Sequence, residues 1–390
     1  YAHAHNSLGD TLRSLKNLNE AESSFARALS FEPNFAEARH NLGVTLHELG
    51  RLDEAEKNYK KALAIKPNYS EAYFNLGCAC YDQGKLEEAV TCYEHAIAME
   101  KKYVEAYRQL GVVLKEQAKL GEAIKNFRRV ISLTDQHSRA TDELLTCLYL
   151  SGDKEDFYSE LDKLLAHNKL SATIGSLTQR SALKYGIRKP NLFCEDPMRY
   201  VAHTDLKASL NFDEIFSEKV KSLLVEGKIP LRRQTLLVKG IQTSGNLFDV
   251  SDDSVQKIEK AIRSEIEKYR NYYSSSEEGL ISRWPNNYTL YGWLICIKAG
   301  GALRPHIHEE GWLSGSVYIN VPTNLARDSG KLVVSLGEEI DATSTRTNTK
   351  QIISVATGSM VLFPASLTHH TVPFESMEER IVLAFDVKPE

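Results

Sequence analysis

Six cysteines in 390 residues, with no C-x-x-C pair among them, leave neither a zinc knuckle nor a thiol-redox motif to build on. They are Cys78, Cys80, Cys92, Cys147, Cys194 and Cys296. Small buried thiols of a reducing compartment are the expectation. A P-loop and a G-x-G-x-x-G sequence are also lacking, so ATP and dinucleotides are not implied. No stretch approaches the roughly 20 apolar residues of a membrane helix, and no signal-peptide pattern opens the chain. Basic excess is missing too: 48 Lys and Arg stand against 52 Asp and Glu, for a net charge of -4. Nucleic acid is therefore not the default partner. What remains, 42% hydrophobic and 26% charged, is the composition of a soluble globular protein long enough for two or more domains. The chain opens at Tyr1, already inside a repeat, which fits a trimmed or processed product, and a cytoplasmic location is expected.

The first half repeats. Gly9, Gly43, Gly77 and Gly111 recur every 34 residues, as do Ala21, Ala55, Ala89 and Ala123 and the aromatics Phe25, Tyr59, Tyr93 and Phe127. Each unit reads as a helical hairpin, with small residues where two helices approach and an aromatic filling the gap toward the next hairpin. Such units cannot bury an apolar face alone, so stacking must supply the core. The pattern resembles the tetratricopeptide repeat over residues 2–137, with Pro33 and Pro67 at its final position and Lys101 and Asp135 departing from it. A degenerate fifth hairpin is expected over residues 137–170. The resemblance implies a protein or peptide partner, and Asn41, Asn75 and Gln109 share a repeat position from which amides could meet it. The alternative is that these amides bond within their own hairpins.

Between residues 171 and 212 the period is lost. "KPNLFCEDPMRYV" mixes prolines with large apolar groups, which marks a docking segment rather than a free linker. Helices are expected at "FDEIFSEKVKSLLVEG" and "SDDSVQKIEKAIRSEIEKYRNYY", the second burying Val255, Ile258, Ile262 and Ile266. After Arg283 the pattern turns to short apolar runs of strand length, without the helical crossovers of a parallel sheet. A β-sandwich or closed barrel over the C-terminal third, with helices covering one sheet, is the expected solution.

Two clusters of histidines fall in this region. In "RPHIHEEGWLSGSVYINVP", His306 and His308 are two apart, so an extended backbone turns both rings to one side. The second cluster is His369 and His370 in "SLTHHTVPF". Adjacent strands could bring these distant groups to one metal ion. Arg380 follows in "EERIVLAF", where alternation turns its guanidinium inward; an inward arginine needs an anion, and a dicarboxylate cosubstrate is the obvious one.

Together these pieces resemble the iron(II)- and 2-oxoglutarate-dependent oxygenases, especially the family often fused to tetratricopeptide repeats, with likeness to prolyl and aspartyl/asparaginyl hydroxylases. The resemblance covers residues 190–390 and implies a double-stranded β-helix, or jelly roll. The expected architecture is thus an α+β multidomain chain: a solenoid over 1–170, a docking linker over 171–212 and the β-helix with its helices over 213–390. It implies His306 and His370 as iron ligands, His370 standing the family's ten residues before Arg380. His308 is the expected third ligand, with Glu310 or water as alternatives, because the usual H-x-D or H-x-E carboxylate is replaced. Arg380 would hold the far carboxylate of 2-oxoglutarate, helped by Ser314, Ser316 and Tyr318, whose hydroxyls share a strand face. The implied reaction hydroxylates a protein or peptide side chain and releases succinate and carbon dioxide. A cupin-like metalloenzyme that does not use 2-oxoglutarate, and a non-catalytic repeat scaffold, are the competing readings.

Overall fold

The computed structural model describes residues 1–134, 138–225, 229, 231–232, 234, 236–323, 328–337 and 349–390. His137, at the start of the fifth expected hairpin, and Glu226 and Gly227, at the end of the first expected helix of the C-terminal half, lie outside them. The chain divides into two compact units, Tyr1–Lys154 and Glu155–Glu390.

The first unit is a helical solenoid. Its hairpins pair α1 (Ala2–Ser14) with α2 (Leu18–Phe31), α3 (Ala36–Glu48) with α4 (Leu52–Ile65), α5 (Ser70–Asp82) with α6 (Leu86–Met99) and α7 (Val104–Glu116) with α8 (Leu120–Leu133). A ninth helix, α9, covers Ser138–Ser151. The recurring glycine and aromatic form one device. A Cβ on Gly9, Gly43, Gly77 or Gly111 would come within 2.6 to 2.8 Å of the ring of Phe25, Tyr59, Tyr93 or Phe127. Each aromatic therefore sits on the glycine of its own hairpin, rather than reaching first toward the next. The turn between paired helices needs a left-handed residue, supplied by Gly50 and Gly84 but by Lys16 and Ala118 in the outer repeats.

The amides of the shared repeat position are engaged within the solenoid. Asn41 donates to Asn6 and Asp10 at 3.2 Å each, and Asn75 Nδ2 lies 2.8 Å from His40 Nε2. At these two positions the side chains tie each hairpin to the one before it, rather than bonding within their own hairpins.

The second unit begins with α10 (Lys154–Ala166, its first residue closing the first unit) and α11 (Ala172–Tyr185). Helix α11 falls in the segment where the 34-residue period is lost. Ser171 Oγ caps it by accepting from the Ile174 amide, and Gly186 ends it in the left-handed conformation. The apolar groups of the expected docking segment are core here: Phe193, Cys194 and Tyr200 are buried in the main cluster of this unit. A π-helical turn at Asp213–Ser217 leads into α12 (Glu218–Val225), and α13 spans Asp253–Tyr272. Val255, Ile258, Ile262 and Ile266 of α13 are all fully buried, as their spacing predicts. A last short helix, α14, spans Gly279–Ser282.

The strands are β1 (Ala202–Asp205), β2 (Leu231–Arg232), β3 (Leu237–Thr243), β4 (Tyr288–Leu303), β5 (Leu313–Asn320), β6 (Leu332–Ser335), β7 (Lys350–Ile353), β8 (Ser359–Pro364), β9 (Thr368–Thr371) and β10 (Arg380–Pro389). They form a seven-stranded sheet in the order β1-β8-β5-β10-β4-β3-β2 and a three-stranded sheet in the order β7-β6-β9. Both sheets are open, with β1 and β2 at the edges of one and β7 and β9 at the edges of the other. This corrects the expected double-stranded β-helix: among the described residues the sheet does not close into a barrel. Strand-length apolar runs reveal where strands lie, but closure depends on which edges hydrogen-bond, and the runs carry no information about that. Alternation sorts the large sheet into two faces. Leu383, Phe385 and Val387 of β10 pack with the α13 residues, while Val382 and Ala384 turn to the opposite side with Val334, Val361 and Phe363.

Candidate metal centre

The face of the large sheet turned away from α13 lines a cavity of about 320 Å³. Strand β10 presents Arg380, Val382, Ala384, Asp386 and Lys388 to it at every second position, between the antiparallel neighbours β4 and β5. Ser316 and Tyr318 of β5, and Tyr291 and Trp293 of β4, line the same space. Ser314 shares their parity but is wholly buried.

Three histidines meet here. The ligand-capable nitrogens of His306, His308 and His369 all lie within 4.8 Å of one another. His306, just past β4, exchanges both backbone hydrogen bonds with His369 of β9, at 3.2 and 2.9 Å. That bridge brings the first histidine motif to the second. His370, the expected ligand, is outside the group. The reason is strand parity: His369 and Thr371 line the cavity, so His370 between them is directed to the other side of β9. Glu310 is outside it as well, pairing with Lys388 at 2.9 Å.

The hydrogen bonds decide which nitrogens are bare. His306 Nδ1 lies 2.8 Å from the Arg304 carbonyl, which can only accept, so the proton sits on Nδ1. His308 Nδ1 lies 2.5 Å from Asp386 Oδ1, and Ser314 Oγ donates to the same oxygen at 2.7 Å. Asp386 only accepts and the Ser314 proton is already committed, so His308 Nδ1 must donate. The two Nε2 atoms face each other 3.1 Å apart. Burial, the largest cause, holds His306 down to about 4, so with its proton on Nδ1 its Nε2 is a bare lone pair. Two imidazole nitrogens bound at right angles to one ion, each at about 2.1 Å, would stand about 3.0 Å apart. Burial also pushes His369 well below the ordinary imidazole range, and its Nδ1 has no hydrogen-bond partner among the described residues. This donor set fits a divalent transition metal such as iron(II), for which imidazole is a natural ligand.

Arg380 is the other anomaly. It is 1% exposed, yet Nε and Nη2 have no hydrogen-bond acceptor among the described residues. Nη1 donates to the Gly330 carbonyl, and Cζ lies 5.0 Å from the centre of the Tyr318 ring. Burial lowers its pKa, opposed by the Tyr318 hydroxyl. Among the described residues no carboxylate meets this buried guanidinium, an environment that suits an anion.

Residues 291–386 match the family described as "Putative 2OG-Fe(II) oxygenase". Residues 1–68, 34–102 and 74–157 match tetratricopeptide repeat families. The chain thus has a tetratricopeptide region and, separate from it, a region that matches this oxygenase family. No curated protein matches it. Among solved structures, the chain is similar to PilF of Pseudomonas aeruginosa at 23% identity, over 47% of this chain and 84% of that one, with a TM-score of 0.41. A tetratricopeptide protein of Thermus thermophilus is 24% identical over 43% and 91% of the two chains, with a TM-score of 0.34. Scores this low carry no argument about the present chain.

Asp386 escaped the reading of the sequence. The signal was there: it is the one acidic residue of the β10 run, six positions after Arg380 and so on the same strand face.

Proposed function

We propose that the second unit is an iron(II)- and 2-oxoglutarate-dependent dioxygenase that hydroxylates a side chain of a protein or peptide. The observation that carries the reading is a buried guanidinium with two donors lacking an acceptor among the described residues, in the same cavity as three histidines whose ligand-capable nitrogens lie within 4.8 Å of one another. Bound iron and 2-oxoglutarate would supply oxidative decarboxylation to succinate and carbon dioxide, coupled to oxygen insertion into a C–H bond.

In this reading the chain's own residues do four things. His306, His308 and His369 hold the metal. Arg380 fixes the far carboxylate of the cosubstrate through Nε and Nη2, a planar fork that suits bidentate contact. Ser316 and Tyr318 line the space between that carboxylate and the histidines. Trp293, its ring centre 5.4 Å from that of His308, walls the cavity and excludes water from the metal's surroundings. Lys388, 4.0 Å from the centre of the Tyr291 ring and paired with Glu310, lines the cavity at the far end of the β10 row.

We place the protein or peptide partner on the solenoid, with residues 1–170 as the binding part, 171–212 as a docking segment and 213–390 as the oxygenase part. Grip remote from the reacting bond would orient it. The test is to load the whole chain with iron(II), add 2-oxoglutarate and oxygen, and measure succinate with and without a peptide library. Iron-dependent succinate that vanishes in Arg380→Ala is expected. Oxygen consumption that is indifferent to 2-oxoglutarate would instead favour a cupin-like enzyme.

A further inference from the structure

Three neutral imidazoles around a divalent ion leave the site without the carboxylate that usually completes it, yet a carboxylate lies directly behind one of them. Asp386 is 4% exposed, and among the described residues its only charged or chargeable contact within 4.0 Å is His308. Burying an acidic group beside no lysine or arginine is costly unless a cation lies close by. Its hydrogen bonds are directed: Ser314 Oγ donates to Oδ1 at 2.7 Å and His308 Nδ1 donates to the same atom at 2.5 Å. Ser314 is itself fully buried, and strand pairing sets Asp386 opposite Ser314, so the arrangement is built into the β5–β10 register. Gly311 closes over the carboxylate, where an added Cβ would lie 3.2 Å from Oδ1.

We propose that Asp386 is the positioning residue of this centre. Held by Ser314, it fixes His308 in the tautomer with Nδ1 protonated and Nε2 bare, and supplies one ligand away from the metal the negative charge that the H-x-H sequence has removed. The inference rests on the metal reading above and concerns a residue outside the three-histidine group. Carboxylates behind metal-bound histidines act this way in general, and their loss weakens binding by about 10–100-fold.

Asp386→Asn separates charge from shape. An asparagine can turn its NH2 toward Nδ1 and drive the proton to Nε2, the tautomer that cannot ligate. The test uses the whole chain with cobalt(II) alone, titrated by visible absorption, and nitrogen-15 histidine spectra of the metal-free protein. The expected results are a His308 resonance of the Nδ1–H tautomer in the wild type, its loss in folded Asp386→Asn, and cobalt affinity reduced about 10–100-fold. Ser314→Ala, which removes one of the two bonds on Oδ1, should lose a few-fold. An Nε2–H tautomer in the wild type would overturn the proposal even if Asp386→Asn failed to fold, and so would wild-type affinity in the folded variant. A wild type that binds no cobalt would sink the metal reading beneath it instead.

Discussion

Two buried histidines, one in each unit, show what separates a structural polar group from a functional one. His40 of α3 is 8% exposed and His369 of β9 is 4% exposed, and burial depresses both pKa values. His40 is satisfied on both nitrogens: Nδ1 lies 3.3 Å from Asn41 Oδ1 and 3.3 Å from the Tyr69 hydroxyl, and Nε2 lies 2.8 Å from Asn75. His369 leaves Nδ1 without a partner among the described residues, and one of its ring nitrogens lies within 4.8 Å of ligand-capable nitrogens of two other imidazoles. The arginines repeat the contrast. Exposed Arg51 is saturated by Glu22 and Glu54, while buried Arg380 has two donors without an acceptor among the described residues. Burial alone marks neither site. Burial with a hydrogen-bonding capacity left over does, because an unpaired polar group in the interior costs on the order of 1–3 kcal/mol unless something binds it.

The comparison breaks most visibly if the wrong histidine is chosen. Replacing His369 by Ala removes a ligand and should lower iron(II) affinity more than about 100-fold, beyond the range expected for groups behind the ligands. His370→Ala, on the opposite side of the same strand, should leave the affinity within a few-fold. Competition titration of both folded variants decides it, and the reverse outcome would restore His370 as the ligand.

A smaller effect belongs to the solenoid. Burial, the largest cause, holds His40 down to about 4 in the folded chain, whereas an unfolded histidine titrates near 6.5. Between those values the unfolded state binds the extra proton, so stability rises with pH through this window. The contribution is fully present above about pH 6.5 and is lost as pH falls toward 4, amounting to roughly 3 kcal/mol. Thermal unfolding followed by circular dichroism should therefore show a shallower acid loss in His40→Gln than in the wild type. Parallel pH dependences in the two proteins would show that His40 is not held neutral by burial.

The sequence was legible wherever local pattern and tertiary role agree. A 34-residue period is rewritten in every hairpin, and the glycine beneath each aromatic leaves its mark at both positions. The inward arginine of β10 was legible because Val382 and Ala384 alternate with Leu383 and Phe385 on the other face. Parity failed at "LTHHTV", where polar residues stand on both sides of the strand and nothing apolar distinguishes the faces. Only the pairing of β9 with β6, and the bridge from His306, decide which histidine looks into the cavity. Open edges were illegible for a related reason, since pairing partners are distant in sequence. Asp386 was overlooked because an acid in an apolar strand has meaning only beside His308, 78 residues away.

The central claim is that the idle donors of Arg380 await a carboxylate beside a metal held by three histidines. Anaerobic titration of the iron-loaded chain with 2-oxoglutarate, followed by the metal-to-ligand absorption band and by calorimetry, tests it directly. The account predicts saturable binding by the wild type, loss of most affinity in Arg380→Ala with iron retained, and partial recovery in Arg380→Lys, whose ammonium lacks the fork. Equal binding by the wild type and Arg380→Ala, or none by the iron-loaded wild type, would contradict it.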